Sequence, residues 1–134
     1  KELEREAKKG NPQALEKLGD HYYKAGAHQD TAKAEKLYEE AAQKGSVEAK
    51  FKLGKAYIRK GDEGEAIRPL TEAAHKGHPD AQFVLGGLLE RGEGVKKADK
   101  HQARSWYEAA AQKGHAEAKE ALERMSQEET EADR

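Results

Sequence analysis

Along the chain, apolar residues recur at offsets of three and four. Ala34, Leu37, Tyr38, Ala41 and Ala42 stand at i, i+3, i+4, i+7 and i+8, and Ala103, Trp106, Tyr107, Ala110 and Ala111 repeat those offsets. Such a period places all five side chains on one face of an α-helix. Ala14, Leu15, Leu18 and Tyr22 form a second stripe of the same kind. Two amphipathic helices, A and then B, are predicted for each unit of a repeat.

The repeat shows in fixed offsets. Lys-Gly recurs at Lys9-Gly10, Lys44-Gly45, Lys76-Gly77 and Lys113-Gly114, spaced by 35, 32 and 37 residues. Four residues after each glycine comes Ala14, Ala49, Ala81 or Ala118, and four further on Leu18, Leu53, Leu85 or Leu122. Gly19, Gly54 and Gly86 follow the first three leucines, where a missing side chain lets helices approach closely. A capping aspartate then precedes Ala34, Ala66 or Ala103 by four, and the B stripe ends in Ala41-Ala42, Ala73-Ala74 or Ala110-Ala111.

The boundaries have chemical causes. Glycine enters the left-handed region without a Cβ penalty, so each B helix is expected to stop at its Lys-Gly. Asn11-Pro12 and His78-Pro79 open A helices, with proline where its missing N–H costs nothing. Ser46 is the expected cap of the second A helix, and Asp30, Asp62 and Asp99 the expected caps of the B helices. The differences in unit length match the distance from the close-packing glycine to the aspartate. All of the length variation is therefore assigned to the A–B loop, where insertions disturb packing least.

With these residues on the page, the chain resembles the Sel1-like repeat family, relatives of the tetratricopeptide repeats. The third unit carries the resemblance best: Ala81-Gln82-Phe83-Val84-Leu85-Gly86, Gly92-Glu93-Gly94-Val95, Asp99, Ala103, Trp106-Tyr107, Ala110-Ala111 and Gly114. Unit two departs from it, with a short Arg59-Lys60-Gly61-Asp62 turn and Pro69 in place of a Leu or Trp; unit one lacks the Gly-x-Gly-Val run. The resemblance implies an all-α, right-handed solenoid of antiparallel helix pairs, about three and a half repeats long. Residues 1–10 read as the end of a preceding B helix, 11–45, 46–77 and 78–114 as repeats one to three, 115–125 as a terminal capping helix, and 126–134 as a disordered charged tail. A start inside a repeat leaves an apolar edge around Leu3, Ala7 and Leu15, which predicts self-association.

Composition narrows the function classes. Charged residues make up 38% of the 134-residue chain, yet the formal net charge is only −1. A nucleic-acid binder carries a basic surplus or stripe, so that class is disfavoured. No window approaches the roughly 20 apolar residues that a membrane span needs, and no apolar secretory core stands near Lys1. The absence of cysteine excludes disulfides and thiolate metal sites, and leaves cytoplasm and periplasm equally open.

Ser46, Ser105 and Ser126 read as a helix cap, a surface residue and a tail residue, so no nucleophile stands beside a base. His75 and His78 are the best metal candidates, but they bracket a turn without a third ligand, so no metal is expected. Gly92-Glu93-Gly94 follows a helix and lacks the lysine of a phosphate loop. Lys96, Lys97, Lys100 and Arg104 form a basic cluster read as a solvated loop. Trp106 is assigned to the core. No cofactor and no catalysis are expected.

The resemblance instead implies a protein-interaction scaffold holding a peptide or protein segment on a concave face lined by the A helices. The alternatives are a structural segment of a longer array and an enzyme acting on a cell-wall or small-molecule substrate. The A-helix stripe beside the core supplies the candidate site: Asp20, Tyr23 and Lys24; Phe51, Lys55, Ile58 and Arg59; Phe83, Glu90 and Arg91. Stacked repeats would align an acidic edge (Glu48, Asp80, Glu117) with a basic edge (Lys24, Arg59, Arg91). Acids at helix starts and bases at helix ends also complement the macrodipole, so the rows have an ordinary explanation as well.

Overall fold

The computed structural model describes residues 1–25 and 28–133, without the side chains of residues 25, 28 and 29. Among the described residues there are eight helices and no strand: α1 (Glu2–Lys8), α2 (Pro12–Ala25), α3 (His28–Gln43), α4 (Val47–Lys60), α5 (Glu63–His75), α6 (Pro79–Arg91), α7 (Lys100–Gln112) and α8 (Ala116–Ala132). The A helices are α2, α4, α6 and α8. The helix backbones that approach one another most are those of helices consecutive in the chain, as in an α-solenoid.

Each B helix closes with one motif, built from the Ala pair and Lys-Gly. In α5 the His78 N–H donates to the Ala73 carbonyl (3.1 Å) and the Gly77 N–H to Ala74 (3.0 Å), with Gly77 at φ +89°. Ala41-Ala42 and Ala110-Ala111 accept the same pair of bonds, from Ser46 and Gly45 and from His115 and Gly114. This double bond across a left-handed glycine satisfies two orphan carbonyls and turns the chain toward the next A helix. The helix α1 ends in the same way, through Gly10 and Asn11.

The A helices open on side-chain caps. Asn11 Oδ1 accepts from the Gln13 and Ala14 N–H groups, Ser46 Oγ from Ala49, and the imidazole Nδ1 of His78 and His115 from Ala81 and Ala118. The aspartates behave less uniformly. Asp99 caps α7 through Gln102 N–H, and that bond, with a second from the Gln102 side chain, holds its carboxyl below the ordinary range. Asp62 stands at the N-cap of α5 without a cap bond and lies 3.7 Å from Lys60. Asp30 is no cap: α3 starts at His28, which puts Asp30 inside the first turn.

That start corrects the assignment of all length variation to loops. The helices α2 and α4 both have 14 residues, but α3 has 16 residues against 13 in α5. The extra residues of unit one therefore belong to α3. Unit three does carry its excess in the loop, between Arg91 and Lys100. Gly94 makes that loop possible, since a Cβ there would stand 2.5 Å from the Glu63 carbonyl oxygen of the preceding repeat.

The core is rich in alanine, and the close-packing glycines let it close around the larger residues. A Cβ on Gly19, Gly54 or Gly86 would fall 2.7, 2.6 or 2.8 Å from the side chain of Tyr38, Leu70 or Tyr107, the large residue of each B helix. Trp106, assigned to the core, is only half-buried at its margin, edge-on to His75 at 5.1 Å, whereas Tyr107 is 2% exposed. The expected disorder from Ser126 is also corrected, because α8 continues to Ala132. Met125 is buried, Arg124 pairs with Glu128, Arg104 with Glu129, and Thr130 Oγ1 bonds the Ser126 carbonyl, so the added turns have local support.

Candidate protein-interaction surface

The helix-A face is organised by two clusters, one linking the first repeat to the second and the other linking the third repeat to α8. In unit one, Tyr38 Oη on α3 donates to Asp20 Oδ1 (2.6 Å), and Lys52 Nζ on α4 donates to Asp20 Oδ2 (2.8 Å) and Glu16 Oε2 (2.7 Å). In unit three, Tyr107 Oη donates to Glu90 Oε1 (2.8 Å), while the Arg124 guanidinium on α8 grips both Glu90 oxygens (2.6 and 2.8 Å). Unit two has Leu70 at the tyrosine position and Lys55 and Ile58 at the acid positions, so hydroxyl and acid disappear together.

The electrostatics follow from these bonds. Burial, then the Asp20 carboxylate, pushes the Tyr38 phenol well above its ordinary range; burial and Glu90 do the same to Tyr107. The bond from Arg124 holds the Glu90 carboxyl below its ordinary value against the opposing effect of burial. Burial pulls the Lys52 ammonium down, but its bonds to Asp20 and Glu16 together outweigh this and raise it.

The acidic edge is tied to histidines. His78 Nε2 lies 2.8 Å from Glu48 Oε1, and His115 Nε2 lies 2.9 Å from Asp80 Oδ1. With each Nδ1 accepting the cap N–H, Nε2 is the donor to the carboxylate. The rings stack on Phe51 (4.6 Å) and Phe83 (4.8 Å). His78 is thus committed to a cap, a carboxylate and an aromatic ring, and His75 faces Trp106 instead. Among the described residues no group of His, Asp and Glu is arranged to hold a metal ion.

The ten candidate residues separate into three sets. Phe51 is 8% exposed and belongs to the core, with Ile58 packed at its margin. Asp20 and Glu90 are engaged by tyrosine and cation, as described. Tyr23, Lys24, Lys55, Arg59, Phe83 and Arg91 remain for the surface. Arg59 lies over the Tyr23 ring at 5.4 Å and Lys55 over Phe51 at 5.1 Å; Arg91 pairs with Glu93 at 3.1 Å. Two grooves receive all of these surface residues but Lys24. One of about 190 Å³ lies between α2 and α4, lined by Asp20, Tyr23, Tyr38, Lys52, Lys55 and Arg59. Another of about 490 Å³ lies between α6 and α8, over Phe83, Val84, Gly87 and Tyr107, with Arg91 and Glu120 at its walls.

Reasoning from sequence missed Lys52, Arg124 and the two tyrosine hydroxyls. A signal was present: acids at Asp20 and Glu90 occur only in the units whose B helix carries tyrosine. The Sel1 repeat profile matches residues 12–46 and 79–115, more than half of the chain and the same two units that hold the tyrosine clusters. The chain belongs to the Sel1 repeat family.

Solved Sel1 structures match throughout. A protective antigen of uropathogenic Escherichia coli with an SLR fold superposes with a TM-score of 0.81 at 32% identity, covering 90% of this chain and 27% of that one. A Sel1 repeat protein from Oxalobacter formigenes gives 0.78 at 33% identity, covering 91% and 95%. Curated relatives include chitin synthase regulatory factor 3 of Schizosaccharomyces pombe, 36% identical over an aligned length of 96, with 66% of this chain and 10% of that protein covered. Chitin synthase regulator SKT5 of Saccharomyces cerevisiae is 37% identical over an aligned length of 89, with 62% of this chain and 13% of that protein covered. This chain thus spans about a tenth of the length of the curated relatives it matches. Sel1 repeat proteins are generally protein-interaction scaffolds and typically not enzymes, and these relatives are regulatory factors. No helix among the described residues is long and apolar enough to cross a membrane.

Proposed function

We propose that this Sel1 array is a non-catalytic binding module that holds an extended segment of a partner protein along its helix-A face, the concave side of the solenoid. The observation that carries the reading is the pair of open grooves between successive A helices, each floored by a tyrosine and walled by cations. A tyrosine floor offers apolar area at low entropic cost, and a cation above it gives direction to a polar or acidic chain. From the yeast regulators we carry over only the class of action, which is control of another protein through contact. A structural segment within a longer array would need no such grooves, and an enzyme would need a nucleophile or acid–base pair in one of them.

The test is a pull-down with this domain, identification of the captured protein by mass spectrometry, and the triple reversal Lys24→Glu, Arg59→Glu and Arg91→Glu against that partner. Loss of affinity with an unchanged melting curve is expected. Unchanged affinity in the folded variant would remove the basic row from the site, and crosslinks from the partner to the helix-B face alone would overturn the reading.

A further inference from the structure

The two grooves differ in how their charges are settled, and the difference points to a ligand chemistry. Between α6 and α8, Arg124 is held by Glu90 and Glu128, and Arg91 by Glu93. Between α2 and α4, Lys52 is likewise satisfied, by Glu16 and Asp20. Lys55 and Arg59 line the same groove and have no carboxylate partner among the described residues. They are held by aromatic faces instead, Lys55 over Phe51 and Arg59 over Tyr23. A cation–π contact orients a cation without cancelling its charge. Lys24, on the last turn of α2, adds a third exposed cation without a carboxylate partner among the described residues.

The size of the groove decides what can enter. Small-molecule sites span about 300–1,000 Å³, and this cavity is about 190 Å³. One side chain of a longer ligand fits that space better than a free metabolite does. Two of its six lining residues are aromatic, Tyr23 and Tyr38, tilted at 6.3 Å, so the stem of the entering side chain meets their rings and its head meets cations.

We propose that the α2–α4 groove is an anion subsite that takes the carboxylate of a glutamate or aspartate in an acidic partner segment, with Lys55 and Arg59 as its ligands and Tyr23 as its wall. This rests on the helix-A reading above and names the chemistry one groove selects. Guanidinium and ammonium groups bind carboxylate through charge-assisted bonds, roughly twice as strong as neutral ones. Lys52 already has its two carboxylates and serves the fold.

The probe is a short fluorescein-labelled peptide of glutamates flanking one leucine, compared with its Glu→Gln counterpart by fluorescence anisotropy. The glutamate peptide should bind and the glutamine peptide should not. Lys55→Glu and Arg59→Glu should each weaken binding about tenfold, the size of one charge-assisted contact, with melting unchanged. Lys55→Gln and Arg59→Gln, gentler to the fold, should give smaller losses in the same order. Amide shifts in a ¹⁵N titration should centre on Tyr23, Lys55 and Arg59. Equal binding of the glutamine peptide, equal loss in Arg91→Glu, or shifts centred on the α6–α8 groove would overturn the proposal. Displacement by inorganic phosphate at matching concentration would overturn it too, in favour of a phosphorylated segment. With the partner identified by pull-down, crosslinks on the helix-A face that ignore Lys55→Glu and Arg59→Glu remove this subsite alone; crosslinks elsewhere remove the wider reading.

Discussion

At Gly86 a methyl group would stand 2.8 Å from the Tyr107 ring, closer than real contacts allow, and a tight 3.3 Å from the Ala103 carbonyl oxygen. Gly86→Ala should therefore act as overpacking and cost about 1–3 kcal/mol, measured by urea unfolding. Glu123 holds the same position after Leu122 in α8, where it is exposed, so Glu123→Ala should be close to neutral. No loss for Gly86→Ala, or a gain of up to about 1 kcal/mol from the better helix former, would show that the tyrosine does not select the glycine. Glu90 gives a pH-dependent test. Its folded carboxyl lies below the ordinary value of 4.5, chiefly through Arg124, so its contribution is present above pH 4.5 and lost as pH falls through the folded value. Glu90→Gln should destabilise the protein by about 1.5–3 kcal/mol at pH 7, and the gap from wild type should narrow below pH 4.5 and close as pH falls through the folded value. A gap that persists in acid would mean that shape rather than charge holds the cluster.

Among the elements, α8 shows two regimes within one helix. Up to Met125 it presents Ala118, Ala121 and Met125 to the core; beyond Met125 every described residue is exposed. Helices gain most of their stability from packing an apolar face, and the last turns have only local pairs and the Arg104–Glu129 contact. Met125→Ala should cost about 2–5 kcal/mol, whereas removing residues 127–134 should cost less than about 1 kcal/mol. Hydrogen exchange should show the same division, with slow amides through Met125 and fast ones after it. Slow exchange beyond Ser126 would indicate an additional packing partner for the end of α8.

At the scale of the whole molecule, contacts between consecutive helices make the array nearly one-dimensional, so damage should spread by neighbours. Leu70 is fully buried and fills the space above Gly54 in the central repeat. Leu70→Ala should cost about 2–5 kcal/mol and speed amide exchange most in α4, α5 and α6, with α2 and α8 less affected. Uniform acceleration from α1 to α8 would show that the array opens only as a single unit.

What the sequence determined by itself was everything carried by short-range chemistry. The Lys-Gly closures, the Asn11, Ser46 and Asp99 caps, the helical stripes and the close-packing glycines each depend on residues within a few positions or on a repeated offset. Asp30 escaped this logic because an aspartate within the first turn has the same dipole benefit as a capping one, and only the backbone path of α3 separates them. The end of α8 escaped because charged residues read as solvated until Arg104, from another helix, supplies a partner. The interaction surface depended most on tertiary structure. Lys24, Arg59 and Arg91 form one row in sequence, yet Arg91 meets Glu93 while Arg59 rests on Tyr23. Lys52 and Lys55 look alike in sequence, yet of the two only Lys52 meets Asp20 and Glu16. Which cations stay free is set by the approach of neighbouring A helices over Tyr38, Leu70 and Tyr107, a distance between elements that no local pattern encodes.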